Sequence, residues 1–148
     1  MRRINYNSLE KIELGCGVSK RDGFTGIDIL DRDQEILWDL RNGIPIPDNS
    51  VNEIFSSHFV EHLEEKDIEF LIDEIVRVCK RGAEILIVCP HSDSQEAYFP
   101  QHLSLWNEKK VKGICQSTFN RKEIIGGYLE EIDVRREGIE IHIKLRLV

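Results

Sequence analysis

An amphipathic helix pattern that runs straight into an uninterrupted apolar strand is the strongest constraint on this chain. Ile68, Leu71, Ile72, Ile75, Val76 and Cys79 recur with the i, i+3, i+4, i+7 spacing of one helical face and predict a helix from about Glu64 to Arg81. Glu64, Glu65 and Asp67 stand at its start, and Lys80 and Arg81 at its end, matching the helix macrodipole. Gly82 falls where a left-handed C-terminal cap is expected. The following Ala83 to Cys89 is nearly all apolar, as in a parallel strand buried on both faces. Such a strand needs helices above and below it, so the fold class is α/β.

Shorter strands are predicted upstream, at Glu10 to Leu14, Phe24 to Ile29, Glu35 to Leu40 and Val51 to Ser57. Asn42-Gly43 and Pro45 to Ser50 supply turn chemistry before the last of these. The tail has a different period. Ile139, Ile141, Ile143, Leu145 and Leu147 alternate with polar residues, and Glu131 to Arg136 is their expected partner across a Glu137-Gly138 turn. A mostly parallel sheet closed by an antiparallel C-terminal hairpin follows. At 148 residues, and without a linker, residues 1–148 read as a single domain.

Composition excludes several function classes. With 41% apolar and 32% charged residues the chain is neither disordered nor fibrous, and no apolar run approaches the roughly 20 residues of a membrane span. Met1 to Tyr6 has no apolar stretch behind its two arginines, so no secretory leader is expected there. A net charge of -7 without a basic stripe argues against nucleic acid as partner. Cys16, Cys79, Cys89 and Cys115 form no C-x-x-C pair and read as reduced thiols of a cytoplasmic protein.

In an open parallel sheet the ligand site lies beyond the carboxyl ends of the strands. Those ends carry Gly15-Cys16-Gly17, Asp28, Asp39, Ser57-His58 and Pro90-His91. Glycines let a ligand approach the main chain, and a carboxylate such as Asp28 can accept bonds from two vicinal ribose hydroxyls. Asp39 is placed to take an adenine amino group. Each of these alone would read as an ordinary turn or a solvated strand end; their convergence carries the reading. G-x-G-x-x-G is not met, because Lys20 stands at its third position, and no phosphate-cradling motif is present. The expected ligand is a nucleoside without a pyrophosphate.

The order Glu13-Leu14-Gly15-Cys16-Gly17, Gly26-Ile27-Asp28, Trp38-Asp39-Leu40, Ile44 to Ile54, Glu61-His62-Leu63 and Arg77 to Gly82 resembles the successive motifs of class I S-adenosylmethionine-dependent methyltransferases. The likeness spans roughly residues 10 to 92 and departs from the family at Ser19 and at Arg81-Gly82-Ala83. It implies a Rossmann-like sandwich and S-adenosyl-L-methionine as cofactor. Gly15, Cys16 and Gly17 would then line the methionine moiety, Asp28 hold the ribose and Asp39 with Leu40 frame the adenine, with Glu13 and Ile29 also among the cofactor-binding residues. Ser57 and His58 would face the sulfonium and the acceptor, for which a small molecule is favoured. His58 is the first candidate for a general base and His91 the second; no metal is part of this reading. Only Val18 to Phe24 and Leu30 to Glu35 separate the first three strands, whereas a parallel crossover takes a dozen residues or more. The first crossover helices are therefore expected to be reduced. A second copy, a partner subunit or an N-terminal flap would cover the exposed cofactor face, or else cofactor affinity is weak.

Two other readings stay open. The fold could bind cofactor without turnover, as a regulatory or scaffolding subunit. His58-Phe59-Val60-Glu61-His62 also fits the H-x-x-E-H signature of zinc hydrolases, with Glu69 or Glu74 as third ligand. His102 reads as a hydrogen-bonding residue, Trp38 and Trp106 as core or rim, and the lid over the substrate is expected within residues 92–128.

Overall fold

The computed structural model describes residues 9–148; Met1 to Tyr6 and any N-terminal flap lie outside the described residues. A seven-stranded sheet forms the centre, in the spatial order β3-β2-β1-β4-β5-β7-β6. Its strands are β1 (Lys11–Leu14), β2 (Thr25–Asp28), β3 (Ile36–Leu37), β4 (Val51–Ser57), β5 (Cys79–Pro90), β6 (Leu129–Glu137) and β7 (Glu140–Leu147). The first five run parallel, and β7 enters antiparallel to β5 with β6 beside it. The helices are α1 (Glu65–Val78), α2 (Glu108–Asn120) and α3 (Lys122–Ile125). The expected class, a mostly parallel sheet closed by an antiparallel hairpin, is what the chain adopts.

The core follows the predicted periodicities. Ile68, Leu71, Ile72, Ile75 and Val76 of α1 are all buried, and they pack in one cluster with Ile12, Ile54, Ile85 and Ile143 of the sheet. Helix α1 stops earlier than predicted, at Val78, because Cys79 already has extended backbone and pairs with Val51. Lys80 and Arg81 belong to β5, and Gly82 (φ +86°) is not a helix cap. It lies where the register slips between Val51↔Cys79 and Glu53↔Glu84, so its positive φ serves a bulge in the strand.

Among the described residues no helix joins β1 to β2 or β2 to β3, and side chains do the work of the missing crossovers. Buried Glu13 accepts a 2.6 Å bond from the Arg21 backbone N–H, and Lys20 pairs with Glu35 at 3.3 Å. Gln34 is 3% exposed and donates from Nε2 towards the carbonyls of Asp28, Leu30 and Ile36. These ties hold two short connections flat against the sheet edge. The third strand is shorter than the predicted Glu35 to Leu40, because Asp39 caps a 3-10 turn over Leu40–Asn42.

A second polar unit locks the loop before β4. Arg77 of α1 donates to Glu74 at 2.7 Å, to the Ile44 and Ile46 carbonyls at 2.8 and 3.0 Å, and to Asp48 at 2.6 Å. Glu74 in turn accepts from the Ile44 N–H at 2.9 Å. Two motifs separated in sequence, Ile44 to Asp48 and Arg77 to Gly82, thus meet through one guanidinium.

Candidate functional site

The strand order reverses between β1 and β4, and a cleft of about 530 Å³ opens there, at the carboxyl ends of the strands. Its size suits a ligand of nucleoside dimensions, within the range of roughly 300–1,000 Å³ usual for such sites. Of the residues expected at the site, Gly15, Gly17, Asp28, Ile29, Asp39, Leu40 and His58 line it together. Glu13, Cys16, Ser57 and His91 do not.

The turn after β1 is built on two glycines with positive φ, +65° at Gly15 and +56° at Gly17. They differ in surroundings. A Cβ on Gly15 would sit 2.3 Å from the Phe59 ring, whereas a Cβ on Gly17 would meet nothing within 4 Å. Gly15 lets an aromatic side chain close on the turn, and Gly17 leaves its backbone open to the cleft. Glu13 sits beneath the turn as the anchor of Arg21, and its burial pushes its carboxyl above the usual range. Cys16 is buried too, and desolvation pushes its thiol up to about 12, so it is an inert packing group.

Asp28 closes β2. Its Oδ2 accepts from the Gly17 N–H and its Oδ1 from the Leu30 N–H, both at 2.9 Å. Each carboxylate oxygen thus keeps capacity for a further bond, and Asp28 lines the cleft. Asp39 is less free than expected. Arg41 grips it through Nε and Nη2 at 3.0 and 2.8 Å, and that hydrogen bonding holds its carboxyl below the usual range. An adenine amino group would share this carboxylate with Arg41. Trp38 stands beside it at the rim, 40% exposed, its indole N–H bonded to the Gly43 carbonyl at 2.9 Å. Sequence reasoning left Trp38, Arg41 and Phe59 out of the site; only their places next to Asp39 and His58 signalled them.

His58 has a positive φ of 54°, which turns its ring out at the end of β4. Its Nε2 contacts Glu140 of β7, and its Nδ1 lies 3.5 Å from Glu61. His91 is elsewhere. It is 5% exposed, accepts the Asp93 N–H on Nδ1 and donates from Nε2 to Glu108 at 2.5 Å, which fastens the start of α2 to the end of β5. Ser57 does not line the cleft either, while buried Ser56 donates to the Leu14 carbonyl and ties β4 to β1.

The H-x-x-E-H run is not on an α-helix: Val60–His62 is a 3-10 turn, and Glu61 is 1% exposed. Glu69 and Glu74 lie on α1, where Glu74 is committed to Arg77. Glu61 meets His62 and His102 instead.

Residues 25–87 match the family model of the methyltransferase domain. Comparison with curated proteins finds no match. Among solved structures, the chain is similar to a SAM-dependent methyltransferase from Archaeoglobus fulgidus, at a TM-score of 0.67 and 17% identity over 95% of this chain and 89% of that one. A SAM-dependent methyltransferase from Aquifex aeolicus superposes at 0.63 with 18% identity, covering 95% and 83% of the two chains. Phosphoethanolamine N-methyltransferase 2 from Haemonchus contortus, in complex with S-adenosyl-L-methionine, superposes at 0.56 with 17% identity over 82% of this chain and 34% of that one. The shared architecture shows that this chain has the fold of these S-adenosylmethionine-dependent methyltransferases, and the methyltransferase-domain match covers residues 25–87 of it.

Proposed function

We propose that this protein binds S-adenosyl-L-methionine in the cleft at the β1/β4 reversal and methylates a small-molecule acceptor. The observation that carries the reading is the convergence of an open glycine backbone at Gly17, a carboxylate with free lone pairs at Asp28 and an apolar floor at Leu40 on one cleft. Gly15 and Gly17 would hold the methionine moiety, Asp28 the ribose hydroxyls, and Ile29, Trp38 and Leu40 the adenine. The cofactor supplies an electrophilic methyl group on a sulfonium, so the protein's task is alignment and exclusion of water. His58 stands at the β4 end of the cleft with Glu140 beside it, a carboxylate that can pair with an imidazolium. It takes the proton where the acceptor carries one.

Ile29, Leu30 and Leu37, 54%, 55% and 45% exposed, lie where the first crossover helices are missing. A second copy or a partner subunit covers this face in the same reading. No helix of the described residues is long and apolar enough to cross a membrane.

Mass spectrometry of the purified protein tests the proposal, followed by methyl-transfer assays on a panel of small O, N and S nucleophiles. Bound S-adenosylmethionine or S-adenosylhomocysteine with turnover is expected, and His58→Ala should lower kcat at least about 10-fold with cofactor affinity kept. Cofactor bound without turnover on any acceptor would favour a non-catalytic subunit instead.

A further inference from the structure

At the His62 side of the cleft, Glu61, His62 and His102 each offer a ligand atom, and these atoms lie within 4.8 Å of one another. We infer that this Glu-His-His set is a binding site for one divalent transition-metal ion, with Zn2+ as the best-suited occupant.

Three observations carry it. First, Glu61 is buried to 2% side-chain exposure, and neither carboxylate oxygen has a hydrogen-bond partner. A buried carboxylate without hydrogen bonds is costly; the His58 and His62 imidazoles stand 3.5 and 4.0 Å from it, and a bound cation would compensate it. Second, both imidazoles are preset as ligands. His62 Nδ1 faces the Gln101 carbonyl at 3.2 Å, and His102 Nδ1 faces the Glu96 carbonyl at 2.6 Å. A carbonyl oxygen can only accept, so each Nδ1 carries the proton and each Nε2 keeps its lone pair. Metal-binding histidines use this same outer bond to fix tautomer and ring orientation. Third, the donors come from separated segments that the backbone already joins. Leu103 N–H bonds the Glu61 carbonyl at 2.7 Å, and the Ser104 hydroxyl bonds the Val60 carbonyl at 3.1 Å.

Two imidazoles and one carboxylate suit Zn2+, or another first-row ion of similar preference, with a fourth position left open. His62 also lines the cleft, so the ion would lie at its wall. The ion would fasten residues 101–104 to the turn after β4. This set differs from the H-x-x-E-H pattern, because His102 joins it, while His58, whose Nδ1 lies 3.5 Å from Glu61, is engaged by Glu140 through Nε2.

The test uses the full chain, stripped with EDTA and free of S-adenosylmethionine, so its outcome stands apart from methyl transfer. Calorimetric titration with zinc chloride should show one ion per chain and a zinc-dependent rise in Tm. Glu61→Gln, His62→Ala and His102→Ala should each weaken binding at least about 10-fold, while His142→Ala leaves it unchanged. Cobalt chloride added to the unsubstituted protein should give visible bands of nitrogen-ligated Co2+, a readout that survives even if a variant fails to fold. No one-to-one binding, absence of the cobalt bands, or an affinity for zinc left unchanged by Glu61→Gln and His102→Ala would overturn the assignment.

Discussion

Gly15 and Gly17 share a backbone conformation but not an environment, and they make opposite predictions. Gly15→Ala adds a Cβ inside the Phe59 ring at a φ of +65°, so strain and overpacking coincide. We expect a loss of at least about 2 kcal/mol, seen as a Tm fall of at least about 4 °C. Gly17→Ala meets no neighbour and should cost only about 1 kcal/mol of backbone strain. Its methyl group stands on the cleft wall, so cofactor affinity should fall more than stability does; equal effects of the two substitutions would refute the distinction. Residue identities at the strand ends were legible from sequence because Gly, Asp and His have chemistry that survives without context. Their partners were not. Nothing local announces that Arg41 grips Asp39, that Glu140 reaches His58 from β7, or that His102 approaches Glu61.

Helix α1 and strand β5 were legible because their apolar periods are strong and contiguous. Their junction was misplaced, since the pairing of Cys79 with Val51 overrides the helical pattern that continues through Lys80 and Arg81. Helix α2 escaped sequence reading: Gly113 and the β-branched Val111 and Thr118 weaken its pattern, and little of it is buried. Its signal was Asn107, whose side chain caps the Lys110 N–H at 2.9 Å. The junction of α1 with the loop before β4 rests on Arg77. Arg77→Ala should cost about 2 kcal/mol, read by chemical denaturation, because Glu74, Asp48 and two carbonyls lose a charged donor together. The Arg77 guanidinium, with further help from the Ile44 N–H, holds the Glu74 carboxyl below its ordinary value of 4.5. A carboxyl depressed on folding stabilises fully above that value and loses its contribution as pH falls through the folded pKa. Stability should therefore decline below about pH 4.5, and Arg77→Ala should show a shallower decline over that window; parallel curves would remove Glu74 as a source of the slope.

At the scale of the molecule, economy and function meet on the same edge of the sheet. The shortage of residues was visible in the spacing of the first three strands, and the structure shows how the chain tolerates it: Glu13, Lys20 and Gln34 tie down connections that hold no helix. The strand order and the cleft at its reversal are present without those helices. Asp28 is central to the proposed site, because it accepts the Gly17 N–H and, in the proposed complex, would also hold the ribose hydroxyls. Calorimetric titration of S-adenosyl-L-methionine into the unsubstituted protein and Asp28→Ala, with Tm recorded for both, tests it directly. Losing two charge-assisted bonds to the ribose, about 3 kcal/mol, predicts at least about a 100-fold weaker affinity in a variant that remains folded. A folded Asp28→Ala protein that binds the cofactor with unchanged affinity would contradict the account.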